Sequence, residues 1–371
     1  MFLSKTISII TFMKRRTFFR PFSLFLFLIH FYQSPAQDTD VYGLLTERYV
    51  DRPINVHRGQ LQINTGYELS VLNKKFDSEG KAVNLAKDGS AAMQHLFPFD
   101  VRYGLLEHLQ MSVGINYART GIRERNVWII AYDTEVSIDE LNEYKGLDNL
   151  NLGFLFRDPF DFKNISWTLR GNILVPLFNH KPDQPDHSIY TAVLETSYTQ
   201  LSYYYRNKYG SGILTGALGT DLKLKTSNFS ALLSGSFSSD LMEGTNIQWR
   251  SNLVENEFEY YSEEFNYKYG HQVEYLALFA YQAIDWFAVQ LFACGIYTYG
   301  GWSEATGKKV GNRPENLFSG GLGYEILASP HLRLFQTLEI PFLGKNIMGS
   351  FVINTGISLN FISETYYNLF K

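Results

Sequence analysis

Few residues in this 371-residue chain are spaced to do chemistry, and each such group has a plainer reading. His180, Asp183, Asp186 and His187 are potential metal ligands, but Pro182 and Pro185 between them write a solvated loop, so no metal is expected. Gly320-Gly321-Leu322-Gly323 is a weak match to a phosphate-binding loop. It lies inside a strand pattern and lacks the strand-to-helix turn that would aim backbone amides at a phosphate. Cys294 is the sole cysteine, so no internal disulfide can form, and the apolar run from Phe292 to Tyr299 around it supplies no base to activate a thiolate. None of the eight histidines is followed two residues later by serine, which removes the simplest single-strand layout of an outer-membrane phospholipase. The reading is of a chain that is not an enzyme and carries no cofactor.

What remains is a set of charges spread along strands: Glu68, Asp100, Arg102, Arg170, Glu195, Asp221, Lys223, Glu274, Glu325, Arg333 and Glu339. Each sits on the parity opposite to the apolar residues of its run. From Gln60 to Val71, for example, Leu61, Ile63, Thr65, Tyr67, Leu69 and Val71 alternate with Gln60, Gln62, Asn64, Gly66, Glu68 and Ser70. That is a strand with one apolar face and one wet face. The alternation recurs in fourteen runs, among them 60 to 72, 188 to 203, 246 to 258 and 265 to 283. Fourteen is even, as bacterial barrels require, and the stretch from 225 to 265 leaves twelve or sixteen open.

These runs define an all-β fold: a transmembrane antiparallel up-and-down β-barrel of about 14 strands. Tyr, Phe and Trp (25, 29 and 5) are plentiful enough for interfacial girdles. Tight connections near Leu106 to His108, Ile284-Asp285 and Ser329-Pro330 alternate with long ones near Asn73 to Ser90, Gly121 to Leu147, Phe178 to His187 and Gly300 to Glu315. With both chain ends periplasmic, the two sets sort to opposite rims. By parity, Leu, Ile, Val, Phe and Tyr face lipid and the opposite set, including the eleven charges above, lines the lumen. There they either pair across strands to hold the wall rigid or select what passes. The longest loop carries Trp128, Ile129 and Ile130, a candidate gating segment.

The first thirty-six residues read as a secretory signal peptide. Lys14, Arg15, Arg16 and Arg20 precede an apolar stretch from Phe22 to Tyr32, which is too short to span a bilayer as a helix, and Ser34 and Ala36 supply the small residues of a cleavage site. The expected domains are a signal peptide over 1–36, a periplasmic segment over 37–59 that can tuck into the barrel mouth, the barrel over 60–362 and a tail over 363–371. Removing residues 1–36 takes away five basic side chains and no acid, lowering the net charge from −4 to −9. An acidic chain without a basic cluster is no nucleic-acid binder. The expected partners are outer-membrane lipid and a small-molecule solute, in the outer membrane of a Gram-negative cell.

Three segments carry a more particular likeness: Asp51-Arg52-Pro53, then Arg58-Gly59-Gln60-Leu61-Gln62-Ile63-Asn64-Thr65-Gly66-Tyr67, then Asp100-Val101-Arg102-Tyr103-Gly104-Leu105-Leu106-Glu107-His108-Leu109-Gln110-Met111. This arrangement resembles the family of outer-membrane transporters associated with the meta pathway of phenol degradation. It departs from that pattern at Asn64 and Gln110, where the family often has Glu. The resemblance implies passive, porin-like passage of small hydrophobic or aromatic molecules. The competing reading is a structural or adhesion barrel with a filled lumen and partner-binding loops.

Overall fold

The computed structural model describes residues 43–84, 91–124, 127–129, 134–136, 140–158, 164–177, 201–204, 212–254, 257–305 and 308–363. Alternating residues form twelve long strands: β1 (Gln60–Phe76), β2 (Ala91–Leu106), β3 (Leu109–Glu124), β4 (Leu150–Arg157), β5 (Ile165–Val175), β6 (Thr215–Lys225), β7 (Phe229–Asp240), β8 (His271–Ile284), β9 (Phe287–Tyr299), β10 (Glu315–Ser329), β11 (Leu332–Lys345) and β12 (Ile347–Ile362). Each pairs antiparallel with its sequence neighbours, and β12 returns to β1 in a continuous register from Gln60↔Ile362 to Phe76↔Ile347 with one bulge. The twelve-strand wall therefore closes on itself and has no open edge of its own.

The barrel has twelve strands, one of the counts left open above, instead of fourteen. The described parts of the two surplus runs lie outside the wall. Gly244–Val254, which covers most of the run at 246 to 258, pairs with Leu201–Tyr204, at the end of the run at 188 to 203, and with Glu257–Lys268. Together with Trp302–Ala305 and Lys308–Gly311 they make a separate five-stranded sheet. Alternation marks any strand with two unlike faces, so it cannot tell a membrane wall from a hairpin raised beyond it. The run at 265 to 283 is likewise cut at Gly270, whose φ of 96° ends the outer hairpin before β8 begins.

Turns at the rim holding both barrel ends are short. Thr226 to Asn228 joins β6 to β7, and the Leu327 N–H donates to the Trp286 carbonyl (2.8 Å) to tie neighbouring turns together. The opposite, far rim carries the long connections and the extra sheet, with one exception. β11 turns into β12 through Asn346 alone, in the left-handed region at φ 55°, where Asn is among the few tolerated residues.

Register places Tyr67, Val113, Leu169, Ile353 and Ile357 on the outer wall. Val113 is 47 % and Leu218 63 % exposed, so this face is apolar yet uncovered by protein. Aromatic pairs such as Phe229–Tyr281 (4.8 Å between centroids) and Phe287–Tyr324 (6.1 Å) band the near end.

Candidate functional site

The segment between Gly43 and Gly59 fills the near end of the barrel as a plug. Leu45 and Val50 are completely buried there. Gly59, at φ 72°, turns the plug into β1, while its N–H donates to the Gly104 carbonyl (2.8 Å). A Cβ at Gly104 would stand 2.0 Å from the His57 carbonyl oxygen, so the Arg102-Tyr103-Gly104 segment lets the plug pass against β2.

Lumen side chains bolt the plug to the wall. The Lys223 Nζ donates to the carbonyls of Arg52 (2.7 Å) and Tyr49 (3.3 Å), and the Arg333 Nη2 donates to that of Leu45 (3.2 Å). Arg52 forms an ion pair with Glu325. Amide side chains take the plug's backbone N–H groups: Gln110 accepts from Val56 (2.9 Å) and Gln282 from Val50 (3.4 Å). Within the plug Arg48 pairs with Asp51 (2.7 Å) and His57 with Glu47 (2.9 Å). Burial pushes the Tyr49 hydroxyl up to about 12, against the pull of Arg52, so Tyr49 stays neutral under that guanidinium, 4.8 Å from its ring.

Between the plug and the middle of the wall lies a cavity of about 730 Å³. Asp100, Arg102, Arg170, Asp221, Lys223, Glu325 and Arg333 border it. Most of these charges are spent locally. Arg102 holds Asp100 at 2.6 Å, with Asn64 donating to the same carboxylate (3.1 Å); Thr168 donates to Asp221 (2.8 Å), which also faces Arg170 at 3.5 Å. A second hollow of about 310 Å³ is bordered by Arg170, Glu274 and Glu339. Glu68, hydrogen-bonded by Ser70 (3.3 Å), is inward on β1. The acids Glu68, Glu274 and Glu339 thus stand apart from the plug, while the basic side chains gather beside it. Glu195 lies outside the described residues, as does Ile130. Trp128 and Ile129 fall in a short strand, Val127–Ile129, that pairs with Thr134–Val136 in a sheet of its own.

Parity alone put apolar residues on the lipid side, and here the structure corrects it. Leu155, Leu232, Leu276, Leu278 and Phe335 border the chamber from within. Phe292, opposite Leu278 in register, also faces inward, and a Cβ at its neighbour Gly321 would meet that ring at 2.4 Å. Gly320-Gly321-Leu322-Gly323 therefore makes room for a ring and holds no phosphate loop. Cys294 is inward too, facing Ser319 and Leu276 across the strands. The apolar lumen residues form a cluster, Leu232 on β7, Leu276 and Leu278 on β8 and Phe335 on β11, set among inward Ser230, Ser234 and Glu274. The side made by β1 to β3 is polar, with Asn64, Asp100, Arg102 and Ser112. The anchors Tyr49 and Arg52 were missed as site residues; their one signal was Asp51-Arg52-Pro53, noted as part of a likeness and given no role.

A closed antiparallel barrel, apolar outside and part-hollow within, is the class of fold that sits in lipid. Neither protein-family models nor curated protein sequences give a match. Solved structures do. An outer membrane channel from Pseudomonas putida F1 superposes with a TM-score of 0.56 at 10% identity, covering 88% of this chain and 100% of the other. A deletion mutant of the monoaromatic hydrocarbon channel TodX gives 0.49 at 9% identity over 82% and 91%, and the P. putida toluene transporter TodX gives 0.44 at 10% over 82% and 90%. At such identities the likeness is one of fold, and it rests on the first of the three.

Proposed function

We propose that this protein is an outer-membrane channel for passive passage of small solutes that carry an apolar surface. The observation that supports it is the apolar cluster in the chamber. A wall stabilised only by salt bridges has no use for Leu232, Leu276, Leu278 and Phe335 facing a hollow, whereas a solute with an apolar body gains roughly 25 cal/mol for each Å² it removes from water against them. The barrel likeness to a solved outer membrane channel agrees with this reading, as does the resemblance to the meta-pathway transporters. Export under residues 1–36 and the charged lumen residues as selectors belong to the same proposal. A second reading, a structural barrel whose loops bind outside partners, draws on the plug, which occupies the near end. Uptake of benzyl alcohol and of a sugar by proteoliposomes, with the whole protein and with a variant lacking residues 43–57, decides between them. The channel reading expects faster benzyl alcohol entry than protein-free vesicles show, increased by removing the plug. No entry with either protein would leave the filled barrel.

A further inference from the structure

We propose that the chamber floor binds small organic carboxylates, the anionic group drawn to Lys223, Arg333 and Arg52 and the apolar body seated on Leu232, Leu278 and Phe335. This rests on the channel reading for access and names the solute class of that same chamber.

The charge is the first ground. Lys223 and Arg333 have backbone carbonyls of the plug as hydrogen-bond partners, and among the described residues no carboxylate lies within salt-bridge distance of either. Arg52 stands close enough to both to act on their charge; Glu325 pairs with Arg52, while the plug acids that also act on them, Glu47 and Asp51, are engaged by His57 (2.9 Å) and Arg48 (2.7 Å). The neighbouring acids Asp100 and Asp221 are held by Arg102 and Arg170. A pocket of fixed positive charge in a confined, part-dry space concentrates anions.

An unused donor is the second. The Lys223 ammonium has three N–H groups and two carbonyl partners, leaving one N–H. Arg333, only 3 % exposed, and Arg52 reinforce that N–H by their charge, since their Nε groups are buried away from the cavity. A carboxylate accepts through two oxygens and binds charged donors roughly twice as strongly as neutral ones.

The third ground is what flanks that donor. Lys223, Leu232 and Leu278 are successive cross-strand neighbours on β6, β7 and β8, so the ammonium rises beside a leucine pair. Arg333 and Phe335 share the inner face of β11, two residues apart, with Phe335 opposite Glu325. All of them border the same cavity of about 730 Å³, large enough for a one-ring acid. A fully hydrated anion such as phosphate would use the cations and waste the apolar seat.

The test is equilibrium binding of radiolabelled benzoate to the purified folded protein in nonionic detergent, with unlabelled benzyl alcohol and acetate as competitors. Benzoate is expected to be displaced by itself at least tenfold more effectively than by either competitor. Lys223→Met is expected to weaken benzoate binding at least tenfold and Lys223→Arg to restore it, with heat-modifiable gel mobility confirming that each barrel is folded. Equal competition by benzyl alcohol would remove the role of charge, equal competition by acetate would remove the apolar seat, and unchanged binding in Lys223→Met would remove the site. Proteoliposome uptake separates this from the channel reading. Entry of benzyl alcohol without benzoate preference in binding sinks the carboxylate site alone. Benzoate binding without entry of any solute keeps the site and sinks the channel.

Discussion

Replacing Glu325 by Gln should loosen the plug far more than replacing its partner Arg52 by Gln. The two side chains are 13 % and 16 % exposed, closer to a buried than to a surface pair. Removing one member of a buried pair costs about 3–5 kcal/mol, because the other charge is stranded, and this partial exposure points to about 3. The loss is asymmetric. Without Glu325, the cations Arg52, Arg333 and Lys223 face one another with only the plug acids Glu47 and Asp51, already engaged by His57 and Arg48, to offset them, whereas without Arg52 the carboxylate still acts on Arg333. Glu325→Gln is therefore expected to cost about 3 kcal/mol and Arg52→Gln about 1, with the double variant milder than Glu325→Gln alone. A 3 kcal/mol loss raises the undocked fraction roughly 150-fold. Native-state proteolysis within Leu45 to Arg58 reads that fraction, since cleavage follows the open population when reclosing is fast. Barrel integrity is followed separately by gel mobility. If Arg52→Gln exposes the plug as much as Glu325→Gln does, the three-cation reasoning is wrong.

Other expectations are more local. Val113 is the fifth residue of β3, about 10 Å above the near rim for a strand tilted about 40°, so Val113→Arg should cost about 2–4 kcal/mol in a reversible folding assay and Ser112→Arg much less. Equal costs would mean the register is wrong. Gly104→Ala should destabilise by about 1–3 kcal/mol because its Cβ meets backbone at the plug junction; an unchanged unfolding midpoint would refute that close approach. At the far rim the Asp77 carboxylate accepts from the N–H groups of Lys81 (2.8 Å) and Glu79 (2.9 Å), which hold it below the usual carboxylate range. Its contribution is present above the ordinary Asp value and is lost as pH falls through the depressed one. Exchange at the Lys81 amide should therefore rise only below about pH 4, and a rise at neutral pH would contradict the turn. N-terminal sequencing of membrane-extracted protein should begin at Gln37.

The wall was legible because a two-residue period in a sequence such as Gln60 to Val71 has one structural meaning. Even the surplus strands were legible as strands. What alternation lacks is depth: Gly244–Val254 and Val289-bearing β9 look alike until pairing shows which one closes the barrel. The lumen was half legible. Charged inward residues announce themselves against lipid, but Leu278 and Phe335 do not, since an apolar residue is allowed on either face once a chamber needs it. The plug was least legible. Arg52 and Tyr49 are fixed by Glu325 and Lys223, more than 170 residues later, and no local pattern carries such a contact.

That separation sets an order of events. The seam between β1 and β12 joins Gln60 to Ile362, so the circle closes only after the last strand exists, and such long-range pairing is intrinsically slow. The plug precedes β1 in the chain, yet Glu325 on β10 and Arg333 on β11 must be in place before it can be fastened. The earliest segment of the described chain to be synthesised is thus the latest to be seated. Until then Leu45 and Val50 are apolar side chains without a home, and the nascent protein depends on holding factors or fast membrane insertion to keep them from other chains.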